Sequence, residues 1–307
     1  MSLTSIRLRE AWNWGGLSTR ELAVRTYRQM DKHEILDRAA ALAYYAMLSL
    51  IPFLSFLLAL TLGGRTRISE QMLTLSHRML APSAAMVLEQ QIDNMQKSSA
   101  VGLLSFSTLI LLYSASSVFT AIMTGTNAAY SVEEGRPWWK RQVMGVFLAI
   151  VEVVLLIGSA GLVVAWPFVM HGLHLAGVGA TLASVVQWLV VIIALVGSFA
   201  IAYHFGPDIK QEWEWMTPGS TLGVVVLMVA GLGLRYYAQY VSNYSATYGT
   251  LAGVIIIMLW LYVASLALLV GAEINAVIEN AAPHGRNPGP RVADTSDGPP
   301  GPAPPKM

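Results

Sequence analysis

Six separate stretches of this chain are each long and apolar enough to cross a lipid bilayer, and they govern every other reading of it. Bilayer hydrocarbon is about 30 Å thick, so a spanning helix needs about 20 mostly apolar residues. The qualifying runs are 40–62, 101–124, 143–170, 181–203, 218–237 and 249–271. Lipid offers no hydrogen bonds, so a spanning backbone must satisfy its own polar groups, as a helix does. The predicted fold is therefore all-α: a polytopic membrane bundle of about six transmembrane helices, with amphipathic surface helices beside it. The third run is over-long for a straight crossing, which predicts tilt or a bend near Trp166-Pro167.

Composition supports this. Only 12% of the residues are charged and 55% are apolar, whereas soluble domains carry about 25% charge. A net charge of +1 supplies no concentrated basic face to displace counterions, so no nucleic-acid partner is expected. The absence of cysteine excludes disulfides, thiolate metal sites and cysteine nucleophiles. The first 38 residues are polar and lack a short apolar run before a small-residue cleavage site, so the first span is expected to serve as an uncleaved anchor.

Charge asymmetry orients the bundle. With the N-terminus inside, that side carries seven Lys or Arg before the first span, three in 125–142, one in 204–217 and three in the tail. The opposite side has four in 63–100 and Arg235. Fourteen against five predicts a multi-pass protein with both termini cytoplasmic.

The organisation that follows has three parts. Residues 1–39 form a cytoplasmic segment whose Ser18-Thr19-Arg20-Glu21 reads as a capping box, opening an amphipathic helix on the membrane surface. Residues 40–272 form the membrane domain, and its outer segment 63–100 reads as two short amphipathic helices broken at Pro82. Residues 273–307 comprise a cytoplasmic end and a Pro/Gly-rich tail, 283–307, with eight of the 14 prolines; a disordered tail is expected.

Polar residues within spans are the functional candidates, because hydrocarbon penalises them and turns them toward the bundle interior. Ser114, Ser117, Ala121 and Thr124 recur at intervals of three and four along one helix face, with Thr120 and Asn127 nearby. The stripe reads as the wall of a polar path, or as small residues that let helices approach closely. Glu152 lies about a third of the way into the third span, where a carboxylate must pair, border water or take up a proton. It reads as a relay for protons or substrate, or as the mark of a hydrated helix segment. Gly249 and Gly253 form a GxxxG suited to a close helix crossing. Glu273 and Asn275 follow the last span and face either the headgroups or the interior.

No soluble-enzyme constellation is present. His171 and His174 stand three apart without a third ligand nearby, and HExxH, GxxxxGK[ST] and GxSxG are all absent. Neither a metal nor a cofactor is expected, and the chain reads as no enzyme.

Three segments carry a family resemblance. Asp37-Arg38-Ala39-Ala40-Ala41-Leu42-Ala43-Tyr44-Tyr45, running on to Ser49-Leu50-Ile51-Pro52, resembles the opening span of the YihY/BrkB family. Tyr113-Ser114-Ala115-Ser116-Ser117 and Asn127-Ala128-Ala129-Tyr130 are similar to its second span and cytoplasmic exit. Tyr244 to Gly249, Leu259 to Tyr262 and Gly271-Ala272-Glu273-Ile274-Asn275 look like its closing signature. The matches fall in order between about residues 20 and 280. The resemblance implies a bacterial inner-membrane protein with six helices and both ends cytoplasmic, related to a virulence factor. Some members carry an old ribonuclease BN label, which the residues here do not support. Pro207-Asp208-Ile209-Lys210-Gln211-Glu212-Trp213-Glu214 stands where relatives often carry basic residues.

The resulting expectation is a translocator for an amphipathic, lipid-like substrate. Ser114, Ser117, Thr124 and Asn127 would line its path with Glu152, Tyr44 and Tyr45 would shape the wall, and Glu273 and Asn275 would serve the cytoplasmic mouth. Membrane lipids are the expected partners, with further copies of the chain or envelope proteins beside them. The alternative is a scaffold that transports nothing, with a ribonuclease as a third reading.

Overall fold

The computed structural model describes residues 12–62, 100–172, 178–209, 217–240 and 250–282. Among them it holds a 3-10 turn (Trp14–Gly16) and seven helices: α1 (Thr19–Lys32), α2 (Ile35–Leu62), α3 (Ala100–Ala129), α4 (Trp138–Gly172), α5 (Val178–Phe205), α6 (Pro218–Tyr240) and α7 (Thr250–Ala281). Helices α2 to α7 are the six candidate membrane spans. The segment 63–99 between α2 and α3, His174, Gly249 and the tail from 283 lie outside the described residues.

The spans run longer than the apolar stretches suggest. Helix α3 continues past Thr124 to Ala129, and α4 begins at Trp138 and passes through Pro167 without a break. At 35 residues α4 is about 52 Å long, well beyond the hydrocarbon thickness.

Helices α3 and α7 lie at the centre. Helix α3 packs on α2 and α4, while α7 packs on α2, α3 and α6; α5 bridges α4 and α6. The main core joins Phe119, Ile122 and Met123 of α3, Leu148 of α4, Phe199 and Tyr203 of α5, Val224 of α6 and Ala272 of α7. The outer surface is the reverse of a soluble protein's. Val154, Ile193 and Val229 are each about two-thirds exposed, an apolar skin that water would drive to aggregate and lipid solvates.

Helix ends gather in one place. The 3-10 turn, the α1–α2 corner, the α3–α4 loop, the ends of α5 and α7 and the start of α6 all meet on one side of the bundle, the terminal face. Helix α1 opens on the expected cap, Ser18 Oγ accepting from the Glu21 amide at 3.2 Å. It docks on protein, however, burying Leu22 against Ile274, Val277 and Ile278 of α7. Gly15 (φ 62°) presses so closely on α7 that a Cβ there would lie 2.6 Å from the Ile278 carbonyl oxygen; only glycine fits both the backbone angle and the contact.

Among the described residues, no atom lies within 4 Å of a would-be Cβ on Gly253, so the expected close crossing at the GxxxG is not made there. Helices α6 and α7 instead meet at Gly219 and Gly271, where a Cβ on Gly271 would lie 2.6 Å from the Gly219 carbonyl oxygen and would also strike the Tyr203 hydroxyl. That hydroxyl donates to the Leu268 carbonyl at 2.6 Å. Small residues set the crossing, but about 27 Å along α7 from Gly253.

Candidate functional site

Among the described residues, two of the cavities in the bundle and a set of structural ties take up most of the predicted site residues. The first is a cleft of about 540 Å³ at the terminal face, walled by α2, α3 and the start of α4. Arg38, Ala41 and Tyr45 come from α2; Tyr113, Ser117, Thr120, Ala121, Thr124 and Gly125 from α3; Trp138, Arg141 and Gln142 from α4. From Tyr113 to Gly125 it follows α3 for about 18 Å, more than half the hydrocarbon thickness. Tyr113 and Trp138 are largely exposed, so its rim meets the lipid-facing surface.

The α3 stripe forms this wall because Ser117, Thr120, Ala121 and Thr124 recur at helical spacing. Ser117 Oγ donates to the Tyr113 carbonyl at 3.2 Å and Thr124 Oγ1 to the Thr120 carbonyl at 2.9 Å. Such back-bonding satisfies the donor while leaving acceptor oxygen toward the cleft. Thr120 Oγ1 is buried without a partner among the described residues. Arg38 Nε donates to the His33 carbonyl at 2.9 Å. Among the described residues, neither Arg38 nor Arg141 has an acidic partner.

The second cavity, of about 370 Å³, lies deeper among α2, α3, α4, α5 and α7. Its lining is almost wholly apolar (Leu50, Phe53, Val118, Phe119, Leu156, Leu195) apart from Glu152, Ser49, Ser159 and Ser198. Ser198 Oγ donates to Glu152 Oε2 at 2.7 Å, so the carboxylate has one partner from α5. Glu152 lies about 21 Å along α4 from Trp138. One face of α4 serves both spaces, with Arg141 and Gln142 in the cleft and Ala149, Glu152 and Leu156 in the cavity. Between them α4 touches α3. A Cβ on Gly145 would lie 3.0 Å from the Ser116 carbonyl oxygen, and the Gln142 amide donates to Ser116 Oγ.

The remaining predicted residues lie elsewhere. Ser114, bonded to the Leu111 carbonyl at 3.1 Å, lines neither space. Tyr44 points outward, 54% exposed, edge-on to Tyr45 at 5.8 Å. Asn127 is buried in a tie between the α3–α4 loop and the end of α5: its Nδ2 donates to Glu134 Oε2 at 3.0 Å and its Oδ1 accepts from the Asp208 amide at 2.7 Å. Arg136 completes that tie, donating to both Glu134 oxygens and to the Phe205 and Gly206 carbonyls. Burial works to raise the Glu134 carboxyl, but the hydrogen bonds and charge of Arg136 and the Asn127 amide outweigh it and hold the group below its ordinary value.

Glu273 and Asn275 occupy two further ties. Glu273 is fully buried with Oε1 2.7 Å from His33 Nδ1, while His33 Nε2 lies 3.2 Å from Ser131 Oγ. This joins α7, the α1–α2 corner and the α3–α4 loop. Asn275 caps α6: its Oδ1 accepts from the Gly219 amide and its Nδ2 donates to Thr217 Oγ1, both at 2.8 Å.

Sequence reasoning therefore found the cleft's α3 wall and Tyr45 but missed Arg38, Trp138, Arg141 and Gln142. Arg141 entered only as a topology charge, and Arg38 as a topology charge and a member of the opening-span motif. Their signal was position, since each lies at a span's end on the side where the hydroxyl stripe emerges. Among the described residues, no three His, Cys, Asp or Glu side chains gather closely enough to hold a metal ion.

A bundle of six apolar helices, skinned with exposed aliphatic side chains and tied by polar contacts at one end, is a polytopic membrane protein. Comparison of sequences refines this: the family model described as "Virulence factor BrkB" matches residues 26–295, and the chain belongs to that family. Among curated relatives it is 31% identical over 252 residues to "Putative ribonuclease-like protein YfkH" of Bacillus subtilis (strain 168), covering 80% of this chain and 90% of that protein. It is 27% identical over 274 residues to a "UPF0761 membrane protein" of Tolumonas auensis, covering 85% and 86%. A further "UPF0761 membrane protein", from Chromobacterium violaceum, is 25% identical, and the chain spans 60% of its length. No solved structure matches.

Proposed function

We propose that this protein translocates an amphipathic, lipid-like molecule across the bacterial inner membrane, with the terminal face in the cytoplasm. The observation that carries the reading is the cleft, which runs from the terminal face deep into the bilayer between aromatic residues at its rim. A polar headgroup would travel along the hydroxyl-bearing wall of α3 while its apolar part stays in lipid. The deeper cavity, apolar but for Glu152 and three serines, offers the next environment along the same face of α4. The excess of Lys and Arg on the terminal side supports the orientation. The cleft holds two arginines beside a lipid-facing rim rather than an extended basic groove, which suits a headgroup better than a nucleic-acid backbone.

The test is reconstitution in liposomes carrying a fluorescent phospholipid, with arrival in the outer leaflet read by an impermeant quencher. Wild-type protein accelerates exchange. Ser117→Leu and Thr124→Leu, each placing a bulky apolar group in the cleft, abolish it while the protein remains folded and inserted. Exchange unaffected by either change removes the path assignment, and a folded wild-type protein that moves no lipid supports the scaffold reading instead.

A further inference from the structure

The cleft's charge specifies what it takes. We infer that it selects an anionic, phosphate-bearing lipid headgroup, held between Arg38 and Arg141. This deepens the translocation reading and rests on it for the choice of a lipid.

An arginine with only a structural task is matched by acidic partners in this fold. Arg136, a short distance away on the same face, is 2.6 Å from Glu134, 3.8 Å from Asp208 and bonded to two carbonyls. Arg38 and Arg141 are also half-buried, yet no carboxylate lines their cleft and neither has an acidic partner among the described residues. A guanidinium drawn away from water loses solvation that only an anion restores in full. The groups beside them favour the same ligand. Gln142 brings an amide, Tyr45 a phenol and Thr120 a buried hydroxyl without a partner among the described residues. A phosphate presents several acceptor oxygens in the geometry that guanidinium forks match, so it can engage both arginines and the neutral donors together. A choline or ethanolamine group would add a cation to a space that already holds two. The exposed Trp138, at the terminal end of the cleft, suits the region where headgroups and acyl chains meet, while Tyr113 lies deeper, beside the acyl chains.

The experiment measures binding, independently of transport. Full-length protein in a neutral detergent is titrated with dioleoylphosphatidylglycerol, dioleoylphosphatidylcholine or inorganic phosphate, and occupancy is read by native mass spectrometry. Phosphatidylglycerol is expected to bind about tenfold more tightly than phosphatidylcholine, the worth of one charge-assisted hydrogen bond. Arg38→Gln with Arg141→Gln should erase the difference, and the double lysine variant should restore part of it. Because Arg38 also supports the α1–α2 corner, Arg141→Gln alone is included, with an unchanged melting temperature as its control. Equal binding of the two lipids, or a preference that survives in both glutamine variants, overturns the inference. Inorganic phosphate bound as tightly as phosphatidylglycerol overturns the lipid as its source. Failure of translocation is separately visible: a protein that prefers phosphatidylglycerol but moves no lipid keeps this site and loses the transport role. Lipid exchange at wild-type rate in the double glutamine variant does the opposite.

Discussion

A carboxylate held below its ordinary titration range stabilises a fold only while it stays ionised, and Glu134 is such a group. The folded protein binds its proton less readily than the unfolded chain does, so unfolding takes up protons as pH falls. Its contribution is complete above the ordinary carboxylate range and is lost as pH drops through the depressed folded value. Thermal stability in detergent should therefore decline on acidification below about pH 5, and Glu134→Gln should flatten that decline while lowering stability at neutral pH. Arg136→Ala is the harsher change. It strands Glu134, half of the Asp208 interaction and two carbonyls, and is expected to cost about 3 kcal/mol, visible as an earlier melt. A variant that melts with the wild type would show the tie to be dispensable. Asn127 belongs to the same tie. Reading it from sequence as a path residue was natural, because its partners come from Glu134 and Asp208, in loops that look solvated until the ends of α3 and α5 bring them together.

At the level of elements, membrane helices gain little from excluding water and depend on close packing and interhelical hydrogen bonds. The crossing of α6 and α7 shows both, with Gly219 against Gly271 and the Asn275 side chain bonded to the start of α6. Gly271→Val is expected to destabilise the bundle by about 2–3 kcal/mol, whereas Gly253→Ala, in open space, should leave it unchanged; yields of folded, monodisperse protein after detergent extraction distinguish the two. The contrast explains what was legible beforehand. Six spans could be read because hydrocarbon demands long apolar runs. Their ends could not, since the last turns of α3 and the first of α4 are stabilised by tertiary ties rather than by apolarity. The α3 stripe was legible from its spacing, while the α4 side of the cleft was not: Trp138, Arg141 and Gln142 precede the apolar run of their helix and acquire a common purpose only when α4 is laid against α3.

For the whole molecule, orientation is the property most open to direct measurement. The chain has no cysteine, so a single one introduced at an exposed position reports on its own surroundings. Ser131 lies exposed on the terminal face between α3 and α4. In intact cells, or in spheroplasts with an unbroken inner membrane, Ser131→Cys should resist a membrane-impermeant maleimide, and it should react once the membrane is opened. Labelling before disruption would place the terminal face outside and reverse the direction assigned to the cleft.

The crowding of polar ties onto the terminal face also bears on how such a chain can drift over generations. Lipid asks only that an outward side chain be apolar, so Val154, Ile193 or Val229 can be exchanged one at a time with little consequence. The ties allow no such freedom. His33 with Glu273, Glu134 with Arg136, and Asn275 with Thr217 are each useful only as pairs, so a change in one partner persists only if the other changes too. In chains of this fold the paired positions are therefore expected to vary together and the outward apolar positions to vary one by one.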